Sequence, residues 1–199
     1  MYQRLTPENS LLAIIDVQER LLPVIPDREQ IVFNVRRLLL AAQAVGVPKI
    51  VTEQYPQGLG RTVQELSQHI SEGTAVMPKK SFSIYDDERI RIEIDHHGRN
   101  QIILCGVETH VCVQQSAFDL CRAGHEVYIA ADAVGSRFDY DHTTALRRLE
   151  ISDIVLTTTE SLLFEWCRTA EHPQFKMFSR LAKAEANPKN PAEDFCGEK

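Results

Sequence analysis

The stretch Gln-Ile-Ile-Leu-Cys-Gly-Val-Glu-Thr-His-Val-Cys, residues 101–112, decides how this 199-residue chain folds. It begins with an apolar run that does not alternate with polar residues, which is typical of a strand covered on both faces. A short turn that starts at Gly106 follows, and a helix-like segment begins at Val111. Because parallel strands need long crossovers, usually helices, this strand–turn–helix order predicts an α/β fold.

The same alternation continues on both sides of this stretch. Six strands are predicted, at Leu11–Ile15, Lys49–Thr52, Ala75–Met77, Gln101–Cys105, Glu126–Ala130 and Ile154–Thr157. Helices are predicted between them, at Arg28–Val45, Asp86–His97, Val111–Ala123, His142–Leu149 and Ser161–Arg168, with one more inside Pro173–Ala186. The expected architecture is a three-layer α/β/α sandwich with a six-stranded parallel sheet, in one domain over residues 1–186. Residues 187–199 are expected to be a flexible polar tail.

Composition excludes several classes of function. The net charge is −6 and no basic run is present, so we expect no nucleic-acid partner. The chain has no signal-peptide pattern and no apolar run of membrane-spanning length, so we expect no membrane partner. Five cysteines, an odd number without a CxxC pair, are typical of a reducing compartment. We therefore expect a cytoplasmic protein.

Ligands of open parallel sheets bind beyond the carboxyl ends of the strands, and three reactive residues fall there. Asp16 ends the first strand, Lys79 follows the third, and Cys112 follows the fourth. If Thr109 caps the next helix, Cys112 lies in its first turn, where free N–H groups and the helix dipole lower a thiol pKa. Two alternatives stay open: a buried cysteine without chemistry, and a papain-like pairing with a histidine, for which His110 is one candidate.

These residues and their surroundings resemble the isochorismatase-like hydrolase family. The resemblance spans residues 8–165 in order and rests on Ile15–Gln18, Lys79–Ser83, Gly106–Val113 and Asp132–Arg137, followed by His142 and Ala145. Two further segments, Thr52–Gly60 and His172–Lys176, are similar to the branch called isochorismatase domain-containing proteins and extend the likeness to about residue 183.

The resemblance implies an Asp-Lys-Cys triad made of Asp16, Lys79 and Cys112. It selects Lys79 over its neighbour Lys80. Cys112 would attack a carbonyl or imine carbon, Asp16 would move protons, and Lys79 would stabilise the charged pair. The resemblance also implies a cis peptide bond between Val107 and Glu108, with the N–H groups of Glu108 and Cys112 directed at an oxyanion.

The resemblance also limits the substrate. The zinc-binding branch has a histidine after the second strand, where this chain has Thr52-Glu53-Gln54-Tyr55, so we expect no metal and no cofactor. The branch that cleaves a vinyl ether lacks the cysteine. A pocket is expected to be lined by Gln18, Tyr55, Phe82, His110 and Phe138, a mixture that suits a small planar amide or imide.

The resulting hypothesis is a metal-independent cysteine hydrolase that cleaves the C–N bond of a small molecule through a thioester, in a homo-oligomer. Two other functions stay open: a non-catalytic binding or scaffold protein that retains the fold, and an ether hydrolase of the isochorismate type.

Overall fold

Six parallel strands form a single sheet in the order β3-β2-β1-β4-β5-β6 in the computed structural model, which describes residues 4–186. The strands are β1 (Ser10–Ile15), β2 (Lys49–Gln54), β3 (Ala75–Lys79), β4 (Gln101–Val107), β5 (Glu126–Gly135) and β6 (Val155–Thr157). All six lie where the sequence predicted them. The expected polar tail, residues 187–199, lies outside the described residues.

Eight α-helices follow or separate these strands within the described part of the chain. They are α1 (Arg28–Ala44), α2 (Pro56–Leu59), α3 (Gln64–Ser67), α4 (Glu88–His97), α5 (Gln114–Arg122), α6 (Asp139–Glu150), α7 (Thr159–Cys167) and α8 (Phe175–Lys183). A 3₁₀ turn covers Leu22–Val24 and a π-helical turn covers Thr109–Val113. The four-residue helices α2 and α3 were not predicted, because one turn is too short to show a helical period. Between residues 4 and 186, no helix is long and apolar enough to cross a membrane.

Two apolar clusters cover the two faces of the sheet. The side chains of β1 alternate between them: Leu12 and Ile14 belong to one cluster, and Leu11, Ala13 and Ile15 belong to the other. The first cluster is completed by α1, α7 and α8, and the second by α4, α5 and α6. Each strand of this kind buries both faces, which explains why its sequence shows no polar alternation. The predicted three-layer α/β/α sandwich is confirmed.

The strands end later than their apolar runs do. β2 continues to Gln54, β3 to Lys79 and β4 to Val107, since polar residues join the ladders at the carboxyl edge. The pairing of β4 with β5 also shifts its register between Leu104 and Gly106. After this shift Val107 pairs with Gly135. The residues that follow β4 and those that follow β5 therefore leave the sheet side by side.

Gly106 is a position where only glycine fits, and substituting it tests the packing of β4 against β1. Its φ is +110°, and a Cβ there would overlap the carbonyl oxygen of Ile15. Gly124 is a matched control, since its φ is +99° but a Cβ would meet nothing within 4 Å. We expect Gly124→Ala to lower the free energy of unfolding by about 1–2 kcal/mol, from the positive φ alone. Gly106→Ala should cost about 1–3 kcal/mol more, because it adds an overpacked contact.

Denaturant unfolding of the two variants, followed by far-UV circular dichroism, measures this difference. Equal losses in both variants would mean that the contact with Ile15 does not constrain the sheet.

Candidate active site

Asp16 lies at the point where β1 ends, and its backbone adopts a left-handed conformation with φ of 54°. Aspartate tolerates this conformation better than most residues, although it still costs energy. The side chain is fully buried. Its Oδ1 accepts a hydrogen bond of 2.7 Å from the hydroxyl of Thr52, and its Oδ2 accepts one of 2.7 Å from Lys79 Nζ. Asp16 is thus held by the ends of both β2 and β3.

Lys79 is equally buried and is surrounded by oxygen atoms. Besides Asp16, its ammonium donates to Gln54 Oε1 at 2.7 Å and to the carbonyl oxygens of Ser81 and Phe82, each at 3.2 Å. An ammonium has three N–H groups, so these four acceptors occupy all of them. This arrangement keeps the cation in place beside Asp16 and leaves it no free N–H for a substrate.

Cys112 completes the group from the other side of β1. Cys112 is 5% exposed, and its thiol lies close enough to Asp16 and Lys79 for their charges to shift its pKa. Burial raises the pKa of the thiol, the negative charge of Asp16 raises it further, and Lys79 counteracts only part of the effect, so the pKa reaches about 12. The three predicted triad residues therefore influence one another electrostatically, and the raised pKa makes Cys112 a neutral thiol near neutral pH.

The expected lowering of the Cys112 pKa by a helix start was wrong. Cys112 belongs to the π-helical turn Thr109–Val113, and α5 begins only at Gln114. Glu108, not Thr109, precedes this turn, and no side chain caps it. The hydroxyl of Thr109 instead makes a 2.9 Å hydrogen bond with His142 Nδ1. Without a regular first turn around Cys112, burial and the charge of Asp16 determine the thiol pKa.

The peptide bond between Val107 and Glu108 is cis. The Glu108 side chain forms an ion pair with Arg137: Arg137 Nη2 lies 2.7 Å from Oε1, and the Arg137 backbone N–H donates to Oε2 at 2.9 Å. Burial favours a higher pKa for Glu108, but the hydrogen bonds and charge of Arg137, together with His110, outweigh it and lower the pKa. The Glu108 carboxylate is therefore ionised, and both of its oxygens are bonded to Arg137.

The five residues expected to line the pocket differ widely in their burial. Gln18 is fully buried; its amide donates to the carbonyl oxygens of Gln54 and Gly60 and accepts from the Gln54 N–H. Because these bonds occupy both N–H groups, the structure gives Gln18 the role of holding the loop after β2 and not a substrate contact. Tyr55, Phe82 and Phe138 are each more than half exposed.

His110 is partly exposed and bonds through Nδ1 to Ser136 Oγ at 3.0 Å. Its Nε2 lies 3.8 Å from Asp141 Oδ2. Neither contact involves Cys112, so the structure gives no papain-like pairing of these two residues.

A cavity of about 620 Å³ opens beside Lys79. Its walls come from Tyr55–Gln57, the end of β3 and the start of α4. It is large enough to admit a small molecule at the edge of the triad.

Sequence reasoning missed four residues that support this site. Thr52 and Gln54 hold the ion pair, Arg137 holds Glu108, and Ser116 donates to the Cys112 carbonyl oxygen at 2.6 Å while accepting from the Ile84 N–H. The first three lie in segments that carried the family resemblance, but the pattern did not reveal which side chains would meet. Strand order was the missing information, because it makes β2 the neighbour of both β1 and β3.

The other cysteines described are also free thiols: Cys105, Cys121 and Cys167. Cys105 lies inside β4, where burial, and then the charge of Asp132, raise its pKa strongly. Over residues 4–186, no group of three or more histidine, cysteine, aspartate or glutamate side chains could hold a metal ion.

A family model described as the isochorismatase domain matches residues 10–161, which contain all three triad residues. The chain belongs to the isochorismatase family. Isochorismatase domain-containing protein 1 of Danio rerio is 41% identical over 182 residues, which cover 92% of this chain and 64% of that relative. Isochorismatase domain-containing protein 2 of the same species is 41% identical over 179 residues, with 89% of each chain covered.

Solved structures of the isochorismatase family have the same fold. A structure from Caenorhabditis elegans, described as MAR1 ribonuclease, is 36% identical to this chain and superimposes with a TM-score of 0.87. The match covers 93% of this chain and 95% of that one.

The raised thiol pKa can be measured by alkylation. At about pH 8 we expect iodoacetamide to label Cys112 more slowly than a free cysteine, whose pKa is about 8.5. Removing the charge of Asp16 should lower the thiol pKa, so Asp16→Asn should accelerate labelling by roughly tenfold for each unit of pKa change. Mass spectrometry of the Cys112 peptide at several pH values gives the rates.

Asp119→Asn is the matched control, because it removes the same charge from the partly exposed end of an ion pair on α5. If wild-type Cys112 is labelled with the profile of a thiol of depressed pKa, or if Asp16→Asn slows labelling, the assignment of the raised pKa to burial and Asp16 is wrong.

Proposed function

We propose that this protein is a metal-independent cysteine hydrolase that cleaves the C–N bond of a small amide or imide. The observation that carries the proposal is the position of the Cys112 thiol beside the carboxylate of Asp16, which Lys79 holds at 2.7 Å. A neutral thiol needs a base to become a nucleophile, and a buried carboxylate close enough to shift the thiol pKa is the candidate for that base.

The first half of the reaction forms a thioester. Asp16 takes the proton of Cys112 while Sγ attacks the carbonyl carbon, and the C=O electron pair moves onto the oxygen. When the tetrahedral intermediate collapses, the C–N bond breaks and the leaving nitrogen takes the proton from Asp16. The acyl group is then attached to Sγ, and the amine product is free to leave.

The second half hydrolyses the thioester. Asp16 again acts as a base and takes a proton from water, whose oxygen attacks the thioester carbon. The C–S bond breaks, the sulfur receives the proton from Asp16, and the product is a carboxylic acid. Lys79 takes no part in the proton transfers and holds the Asp16 carboxylate in place through its 2.7 Å hydrogen bond to Oδ2.

We assign the developing oxyanion to the backbone N–H groups of Glu108 and Cys112. These amides belong to the turn that carries the nucleophile, so their position relative to Sγ is fixed by the chain itself. Fixed N–H donors stabilise an oxyanion strongly in a site without bulk water. Tyr55 lines the cavity beside Lys79 and supplies an exposed aromatic face, which suits a planar substrate.

Substitution of the nucleophile tests this function. On a substrate found in a screen of primary amides and imides, we expect Cys112→Ala to reduce kcat by at least about 10³-fold, because the covalent route is lost. Cys167→Ala is the matched control: Cys167 is also buried, but it lies at the end of α7, and its removal should leave turnover unchanged. Intact-protein mass spectrometry should detect the acyl adduct on wild-type protein only.

Other outcomes point to other functions. Unchanged turnover in Cys112→Ala, or isochorismate cleavage that does not need Cys112, would favour an ether hydrolase. Absence of turnover on the whole panel together with an inert Cys112 would favour a binding or scaffold protein.

RNA cleavage is a second candidate function, because the similar Caenorhabditis elegans structure is described as a ribonuclease. The net charge of −6 disfavours it, since phosphate binding needs concentrated positive charge. Incubating the protein with a single-stranded RNA, with Cys112→Ala as the comparison, decides between the two chemistries.

We also propose that the protein is a homo-oligomer and works in a reducing compartment such as the cytoplasm. Phe138 and Tyr140, beside the site, expose 63% and 82% of their surface, which favours contact with a second copy. The apolar side chains Phe178 and Leu181 of α8, by contrast, are buried within the chain. Light scattering should give a multiple of 22.6 kDa for the wild type.

Tyr140→Ser should shift this assembly toward smaller species, while Ile92→Ser, at an exposed apolar residue on α4, should not. A monomeric wild-type protein would contradict the proposed assembly and leave the hydrolase proposal intact.

A further inference from the structure

Three consecutive side chains of the turn that leads to Cys112 bond to one short segment, residues 136–142. Glu108 pairs with Arg137, Thr109 bonds to His142 at 2.9 Å, and His110 bonds to Ser136 at 3.0 Å. The pairing of Val107 with Gly135 brings these two segments out of the sheet next to each other. The contacts are therefore a consequence of the register of β4 and β5.

The contact between Glu108 and Arg137 differs from the other two in its charge and its number of bonds. The Glu108 side chain is 5% exposed, whereas that of Arg137 is 49% exposed. Arg137 binds the carboxylate through Nη2, through Nε at 3.2 and 3.1 Å, and through its own backbone N–H. A planar guanidinium that binds both oxygens restricts orientation as well as distance.

Glu108 also organises the backbone around the nucleophile. Its carbonyl oxygen accepts hydrogen bonds from the N–H groups of Val111 at 3.1 Å and Val113 at 3.2 Å. These two residues flank Cys112 in the chain. A tilt of Glu108 would consequently move Cys112 and the amides assigned to the oxyanion, and displacements of about 1 Å at a reacting group reduce rates by about 100-fold.

We propose that Arg137 is a positioning residue, which acts through Glu108 to fix the turn that carries Cys112. The expected change in kcat rests on the proposed hydrolase function, whereas the expected change in the position of Cys112 does not. Thr109 with His142, and His110 with Ser136, hold the next two residues of the same turn. Arg137 itself has no part in the bond-making steps.

The test compares Arg137→Ala with Arg61→Ala. Arg61 also pairs its exposed guanidinium with a buried carboxylate, that of Glu53 at 3.2 Å, but on the loop after β2. On the substrate used for Cys112→Ala, we expect Arg137→Ala to lower kcat by about 100-fold with KM within about twofold, since positioning and not binding is lost. Arg61→Ala should keep both constants. Added guanidinium should restore part of the rate of Arg137→Ala, and Arg137→Lys should retain an intermediate rate because it supplies charge without the fork.

A second measurement does not depend on turnover. The rate of Cys112 alkylation by iodoacetamide should change at least about fivefold in Arg137→Ala, because the position of Sγ decides its accessibility and environment. The rates are measured at one pH, without denaturant, and at a temperature at which the variant is folded. It should not change in Arg61→Ala.

An unchanged alkylation rate overturns the positioning role whether or not a substrate has been found. A rise in KM alone would also overturn it, since it would make Arg137 a substrate-binding residue. If alkylation changes as expected but no variant of the chain, including the wild type, turns over any substrate, the positioning inference stands and the hydrolase proposal fails.

Discussion

The ion pair between Lys79 and Asp16 is the interaction on which the rest of the site depends, because both side chains are fully buried and lie only 2.7 Å apart. Two charges removed from water are stable only when further hydrogen bonds satisfy them. Thr52 and Gln54 at the end of β2, and two carbonyl groups after β3, supply those bonds. The three strands β3, β2 and β1 must therefore keep their order and register for the charges to remain paired.

This pair sets the chemistry available to Cys112. A carboxylate beside a buried thiol raises the thiol pKa, and the same carboxylate can take the proton when the thiol attacks. In the proposed mechanism such a thiol differs from one that is already a thiolate at rest, since activation and attack would occur together. Lys79 and Thr52 each bond one carboxylate oxygen of Asp16, so the orientation of this side chain is fixed.

Sequence alone was sufficient for the strands, and it named the candidate triad, but it did not reveal the residues that support either. Continuous apolar runs identified β1 and β4, and the family resemblance selected Lys79 and Cys112 among several lysines and cysteines. The π-helical turn was missed because a capping pattern at Thr109 looks the same whether its hydroxyl caps a helix or bonds to a distant histidine. Gln18 was misassigned because the sequence does not show that the Gln54 backbone lies beside it. Both errors concern contacts between residues far apart in the chain.

The two halves of the site are fixed by different physical means. Asp16 and Lys79 are held by strand ends and by buried charge, so their geometry follows from the order of the sheet. Cys112 lies in a turn outside regular α-helix, and side chains from residues 136–142 hold that turn from the opposite half of the sheet. β1 lies between β2 and β3, whose ends hold Asp16 and Lys79, and β4 and β5, which lead to the turn with Cys112 and to the segment that holds it. The distance between the thiol and the carboxylate therefore depends on how β4 and β5 pair relative to β1. The register shift between Leu104 and Gly106 is thus part of the site, since without it Arg137 would not reach Glu108.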